Sequence, residues 1–189
     1  SDFKWTTDCS HVRKQPYLVI FKASDDNPDQ VLVSYKNVNV YVLGPAPENI
    51  QLEPTNNSIF VQWDSSRCEE VAGYNIYRKN RRAFFTPAEC EVGVPAYTEY
   101  ELIGTVLGWN NTEYIDDDKG LGLVQGYEYC YMIVAYYADG AESYASEEVC
   151  TELSGGVPIM LKASVSTTDQ VNGAIHLQWL EPLDFDSVA

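Results

Sequence analysis

Two histidines, five cysteines and two close runs of aspartate are where any chemistry in this chain would have to start. Acyl transfer needs a nucleophile, a base beside it and a group that orients the base. The available bases are His11, in the polar stretch CSHVRK, and His176, in AIHLQW. His176 alternates with Ile175 and Leu177, which sets it on the outer face of a strand. The two lie near opposite ends of the sequence, and no GxSxG elbow accompanies them. Paired carboxylates hydrolyse glycosides, and clustered oxygens suit a hard cation. The runs that offer them are Asp116-Asp117-Asp118 and DDNPD, which holds Asp25, Asp26, Asn27 and Asp29. After Asp116–Asp118 no glutamate stands where the twelve-residue calcium loop requires one. Asp25, Asp26, Asp116 and Asp118 are therefore weak calcium candidates, and a solvated turn is the plainer reading of both runs. GLGLVQG (120–126) is glycine-rich but leads into a strand-like segment, so it reads as a turn and not as a phosphate cradle. No catalytic residue and no resident cofactor is expected.

The cysteines point elsewhere. Cys9, Cys68, Cys90, Cys130 and Cys150 contain no CxxC pair, and with two histidines a zinc site is not expected. Four of them fall as two pairs of similar separation, 68/90 and 130/150. In a β-rich acidic chain this reads as two disulfides of an exported protein, against the alternative of five free thiols in a reducing compartment. Each bridge would close a loop of about 20 residues and stabilise by about 3 kcal/mol in the chain-entropy picture. Cys9 is left over.

Net charge narrows the partners. Twelve basic and 28 acidic residues leave −16, which repels a phosphate backbone and an anionic membrane alike. No apolar run reaches the 18 residues that a spanning helix needs. The exposed-loop aromatics Phe84, Phe85, Tyr97 and Trp109 are candidate ligand contacts, since rings on loops stack on sugars or anchor a partner. The alternative is that Phe84, Phe85 and Tyr97 cover the apolar side of their own loop.

The elements that must carry these groups are short strands. SIFVQW (58–63) alternates, with Ile59, Val61 and Trp63 facing inward, and GYNIYR (73–78) sets Tyr74 and Ile76 on one face. YEYCYMIVAYY (127–137) places Tyr129, Tyr131, Ile133 and Ala135 on a core face. Cys130, Met132, Val134 and Tyr136 take the opposite face, with Cys130 bridged to the last strand outside the core. Asp139-Gly140 supplies the turn that follows. GPAPEN (44–49) and SGGVP (154–158) read as short linkers and divide the chain into 1–44, 45–154 and 155–189.

In the middle part, PxNIxL, SIFVQWD, GYNIYR, YID, YxYxYxIVAxYADG and SxxV follow one another in the order of a fibronectin type III domain, which residues 45–154 resemble. Trp63 matches that family's core tryptophan, and Tyr129 and Tyr131 its strand-F tyrosines. A long insert between Arg78 and Tyr100, and the cysteines, depart from the family's pattern. AIHLQW (174–179) echoes SIFVQW, so a second such domain resembles one beginning near 158. Residues 1–44 resemble the closing strands of a cadherin-like or Ig-like bacterial repeat. Cysteine-bearing modules of this kind resemble those of exported bacterial surface proteins. The resemblance implies an all-β, Ig-like β-sandwich with partial β-sandwich segments at both ends, which would pack on each other, on the middle domain or across a dimer. It implies a non-enzymatic extracellular or cell-surface spacer or adhesion module of a larger protein, meeting protein partners. The alternative is an accessory carbohydrate-binding or linker module of a secreted hydrolase.

Overall fold

The computed structural model describes residues 2–28, 30–153, 159–169 and 171–180, the side chains of Ile159 and Leu180 aside. Linkage by strands dominates. β1 (Tyr17–Ser24) and β2 (Val33–Val40) form an antiparallel hairpin. β3 (Gln51–Pro54), β4 (Ile59–Gln62) and β7 (Glu113–Asp116) form a three-stranded sheet in the order β3-β4-β7. β5 (Val71–Asn80), β6 (Glu101–Leu107), β8 (Glu128–Tyr137) and β9 (Val149–Glu152) form a four-stranded sheet in the order β6-β5-β8-β9. β10 (Ile159–Thr167) and β11 (Ala174–Leu180) form a last hairpin.

Alternation explains how the two sheets of the middle region meet. Ile59, Val61 and Trp63 from one sheet, and Tyr74, Ile76, Tyr129, Tyr131, Ile133 and Ala135 from the other, share one core. In each strand these residues are two apart, so the pleat turns them to the same side. The Trp63 and Tyr74 rings meet edge to face at 5.4 Å. Tyrosine serves this core because its hydroxyl reaches a partner while its ring fills space. Tyr74 Oη accepts from Ser66 N (2.9 Å) and donates to the Trp109 carbonyl (2.9 Å). Tyr129 Oη does the same with the amide and carbonyl of Val124, both at 3.0 Å. Gly104 is required: the Tyr114 ring occupies the space that a Cβ there would need.

β8 is apolar on both faces, and here the structure corrects an expectation. Cys130 is not outside a core. Its disulfide with Cys150, a directly opposed register pair, is present with a Cα–Cα distance of 4.0 Å, and Cys130 is fully buried. Cys130, Met132, Val134, Tyr100 and Ala145 form a second apolar cluster behind the four-stranded sheet, with Tyr77 of β5 against it and Ala83, Phe85 and Val94 as its roof. The roof is the long insert 79–99, which returns over the sheet and covers a face that would otherwise meet water.

After the Asp139-Gly140 turn, where Gly140 adopts φ +81°, the returning chain does not rejoin β8 by a plain ladder. Ser143 and Ser146 each donate their N–H to the carbonyls of Ala135 and Ile133. Their hydroxyls accept the N–H groups of the same two residues, at 2.9 Å each. Both serines are buried. Ser143→Ala or Ser146→Ala leaves a buried N–H unpaired, so each is expected to cost about 1–3 kcal/mol in urea unfolding. A change below a few tenths would show that water replaces the hydroxyl.

Among the described residues, no strand of β1–β2 neighbours a strand of β10–β11, and neither hairpin adds a strand to the central sheets.

Candidate functional site

The segments on either side of the β1–β2 hairpin are joined to the sandwich at three points. The short 3-10 turn Cys9–His11 is capped by Asp8, whose carboxylate accepts from Ser10 N at 3.0 Å. That turn delivers Cys9 to Cys68, and the two form a disulfide across a separation of 59 residues, with Cα atoms 5.2 Å apart. This corrects the expected 68/90 pairing: Cys68 is bonded to Cys9, and Cys90 is a free, exposed thiol. Cys9 and Val12 also pack against the main core. At the second point Lys14 N donates to Asp139 Oδ2 at 2.8 Å. At the third, Tyr144 N donates to the Gly44 carbonyl (3.3 Å), and Gly44 bridges Ser143 in parallel. The GPAP stretch therefore lies along the sandwich edge, with Gly44 and Pro47 buried.

His11 belongs to this joint as a structural residue. Its Nδ1 accepts from Asp8 N at 3.1 Å, and its ring meets Trp5 at 5.1 Å. Trp5 in turn packs edge-on against Tyr17 at 4.8 Å, and the Arg13 guanidinium lies 3.4 Å above the Tyr17 ring. His176 sits on β11, in the other hairpin.

Asp139 is titratable where it counts. Hydrogen bonds from the backbone N–H of Lys14 and then of Ala141 hold its carboxyl below the ordinary value of 3.8. A depressed carboxyl contributes its stabilisation above the unfolded value and loses it as pH falls through the folded one. The Lys14 amide resonance is therefore expected to titrate with a midpoint below 3.8. Asp139→Asn should abolish that titration; its persistence would place the proton elsewhere.

The aspartate run resolves differently from a calcium loop. Asp116 is 2% exposed. Arg78 Nη1 donates to both its oxygens, at 2.8 and 3.0 Å, and Tyr131 Oη donates to Oδ2 at 2.7 Å. Arg78 Nη2 reaches Asp118 Oδ1 at 3.0 Å. The resident cation is a guanidinium, whose Nη1 is shared between the two Asp116 oxygens while Nη2 holds Asp118. Burial opposes the Arg78 charge, yet the bonds to Asp116 and then Asp118 outweigh it and raise the group above its ordinary value. Burial first, then the bond to Asp116, pushes the Tyr131 hydroxyl far up, so it stays a donor. In the first run, Asp25 Oδ1 accepts from Leu32 N at 2.8 Å and closes a turn, and Asp26 is exposed.

The four loop aromatics part company. Trp109 is half-buried against the main core and donates Nε1–H to the Ser66 carbonyl at 2.6 Å. Phe85 sits in the insert's roof. Phe84 is 81% exposed and Tyr97 69%. Phe84, Phe85 and Tyr97 line one open groove with Lys79, while Trp109 does not reach it. Glu148 sets the geometry here. Its two oxygens accept from Ala83 N (2.6 Å) and Phe84 N (2.9 Å), and Tyr100 Oη donates to it at 2.7 Å. Sequence reasoning missed Glu148, the Arg78–Asp116–Tyr131 cluster and the Cys9 bridge. The only local signal among them was Cys9 standing without a partner.

The three-stranded sheet facing a four-stranded sheet, in the orders above, defines a fibronectin type III-like β-sandwich in an almost wholly β chain. No protein-family model matches the chain, and no curated protein matches it. The solved structures it resembles include fibronectin type III proteins and also enzymes, among them a pectate lyase from Erwinia chrysanthemi. One, a myokine structure, is 23% identical over 58% of this chain and 96% of its own, with a TM-score of 0.41. An Fn3-like protein from Clostridium thermocellum is 21% identical over 58% and 92%, with a TM-score of 0.39. A two-domain fibronectin type III segment of chicken tenascin is 16% identical over 71% and 64%, with a TM-score of 0.43.

Proposed function

We propose that this chain is a non-catalytic spacer and interaction module of a larger exported protein, working outside the cell or at its surface. The observation that carries the reading is the joint. A disulfide, a capped turn and a proline-bearing linker laid on the sandwich edge fix the β1–β2 side to the central domain. Domain pairs in one chain otherwise move relative to each other by default, and a spacer is the role that a stiffened joint serves. Two disulfides suit an oxidising compartment. On this reading the hairpins β1–β2 and β10–β11 belong to flanking β-domains, and their exposed apolar residues, among them Ile20, Tyr35, Ile175 and Trp179, face partners there. Small-angle scattering tests the stiffness. Replacing Cys9 and Cys68 by serine should broaden the particle's size distribution. An equal breadth before and after would remove the joint from the argument.

A second reading, an accessory carbohydrate-binding module of a secreted hydrolase, has its own support. Phe84 and Tyr97 stand exposed beside one groove on a braced loop. A glycan array decides it: no glycan bound ends this reading.

A further inference from the structure

The tip of β5 is the electrostatic exception in an acidic protein. RKNRR (78–82) holds four of the chain's twelve basic residues. Arg78 is committed to Asp116 and Asp118, and Lys79 to Glu99 at 3.0 Å. Among the described residues, the Arg81 and Arg82 guanidiniums have no ion-pair partner. Both residues are exposed, and Arg82 lies 5.9 Å from the Phe84 ring centroid.

The backbone that presents them is unusual. Arg81 (φ +68°) and Phe84 (φ +56°) both adopt the left-handed region, which bulky residues seldom occupy and which persists only where the surroundings enforce it. The enforcement is visible. Arg81 N donates to the Glu128 carbonyl at 3.0 Å, and Glu148 holds the amides of Ala83 and Phe84. Beneath lies the second apolar cluster with its disulfide. A phenylalanine in water gains nothing from such bracing for the fold itself.

Arg81, Arg82 and Phe84 line an open groove of about 630 Å³ together with Tyr127, Glu128 and Glu152. Tyr127 is 48% exposed. Glu128 and Glu152 are a cross-strand register pair on β8 and β9. The groove thus offers apolar ring faces, cationic donors in a planar fork and carboxylate acceptors side by side.

We infer that this groove binds a carboxylated glycan, one whose sugar units carry uronic acids. The C–H face of a sugar ring covers Phe84 and Tyr127. Its carboxylate takes the guanidiniums of Arg81 and Arg82, which match it bidentately. Its hydroxyls donate to Glu128 and Glu152. An acidic peptide would use the two arginines but offers no hydroxyl donors to the two glutamates and no C–H ring face to Phe84 and Tyr127. A neutral glycan would use the rings and the glutamates but leave the arginines idle. The uronic sugar engages all six groups. The inference stands apart from the spacer reading and gives the carbohydrate reading a substrate class and a different centre, with Arg81, Arg82 and Tyr127 in place of Trp109 and Tyr97.

Calorimetric titration of the full chain against oligogalacturonate, a neutral galactan oligomer and oligoglutamate tests it. Oligogalacturonate should bind at low ionic strength and weaken with added salt. Arg82→Gln and Phe84→Ala should each weaken it about tenfold, the loss of one charge-assisted contact or one stacking ring. Tyr97→Ala should leave it unchanged. Phe84 is exposed, so its variant keeps both cores, and an unchanged melting temperature would confirm that. Binding of the neutral oligomer alone would overturn the inference while sparing the carbohydrate reading. Binding of none of the three would end both. Oligoglutamate bound as tightly as oligogalacturonate, or weakening by Tyr97→Ala equal to that by Phe84→Ala, would also overturn it.

Discussion

Asp116→Ala is expected to destabilise the sandwich by up to about 3–5 kcal/mol, the cost of depriving a largely enclosed guanidinium of its main partner. The side chain of Arg78 is 16% exposed and that of Asp116 3%, so water compensates only in part. Asp118 alone would remain for Arg78, at 43% side-chain exposure and through one nitrogen. Tyr131 would lose its acceptor in the same change. Arg78→Met should cost a comparable amount, because it leaves a buried carboxylate with no cation and only the Tyr131 hydroxyl and the Asp118 N–H as donors. The pair Arg78→Met with Asp116→Leu should lose less than either single variant, since buried ion pairs are often replaceable by apolar groups of similar volume. Denaturant unfolding of the four proteins measures this. Additive losses would mean that the two charges do not depend on one another.

Removing the Cys9–Cys68 bridge is the second large effect. With a sequence separation of 59, the chain-entropy picture assigns it about 4 kcal/mol, somewhat more than the shorter Cys130–Cys150 loop. The consequence is expected to be uneven. The central sheets are expected to keep their two cores and their own disulfide in a Cys9→Ser, Cys68→Ser protein, because Cys68 is one buried member of a core otherwise built from Trp63, Tyr74, Ile133 and their neighbours. The segment ahead of β1 then hangs on the Lys14–Asp139 bond and on Val12. Limited proteolysis should therefore cut between Cys9 and Gly44 first, while the region from β3 to β9 resists. Simultaneous loss of both regions would show that the joint and the sandwich unfold as one unit.

Much of the fold could be read from local pattern. SIFVQW, GYNIYR and YEYCYMIVAYY each show period two, and the residues that alternate in sequence are those that meet in the core. The Asp139-Gly140 turn was equally legible, because a glycine after aspartate is a local device. What escaped was decided by distant chain. Cys68/90 matched Cys130/150 in spacing, yet spacing cannot register that Cys9 is brought back by a capped turn. The outer face of β8 read as lying outside the core because nothing in its own strand reveals that the insert folds over it. Asp116 read as one of three equivalent turn carboxylates. Only the register of β7 with β4, and the reach of Arg78 from the facing sheet, separates it from Asp117. Trp109, grouped with the loop aromatics, turned inward for the same reason: its N–H partner is the Ser66 carbonyl, 43 residues earlier.

The joint is the feature on which the spacer account rests, and disulfide mapping reaches it most directly. Peptide mass analysis of the non-reduced protein, after alkylation of free thiols, should recover Cys9 linked to Cys68 and Cys130 linked to Cys150, with Cys90 carrying the alkyl group. A peptide joining Cys68 to Cys90, or an alkylated Cys9, would contradict it.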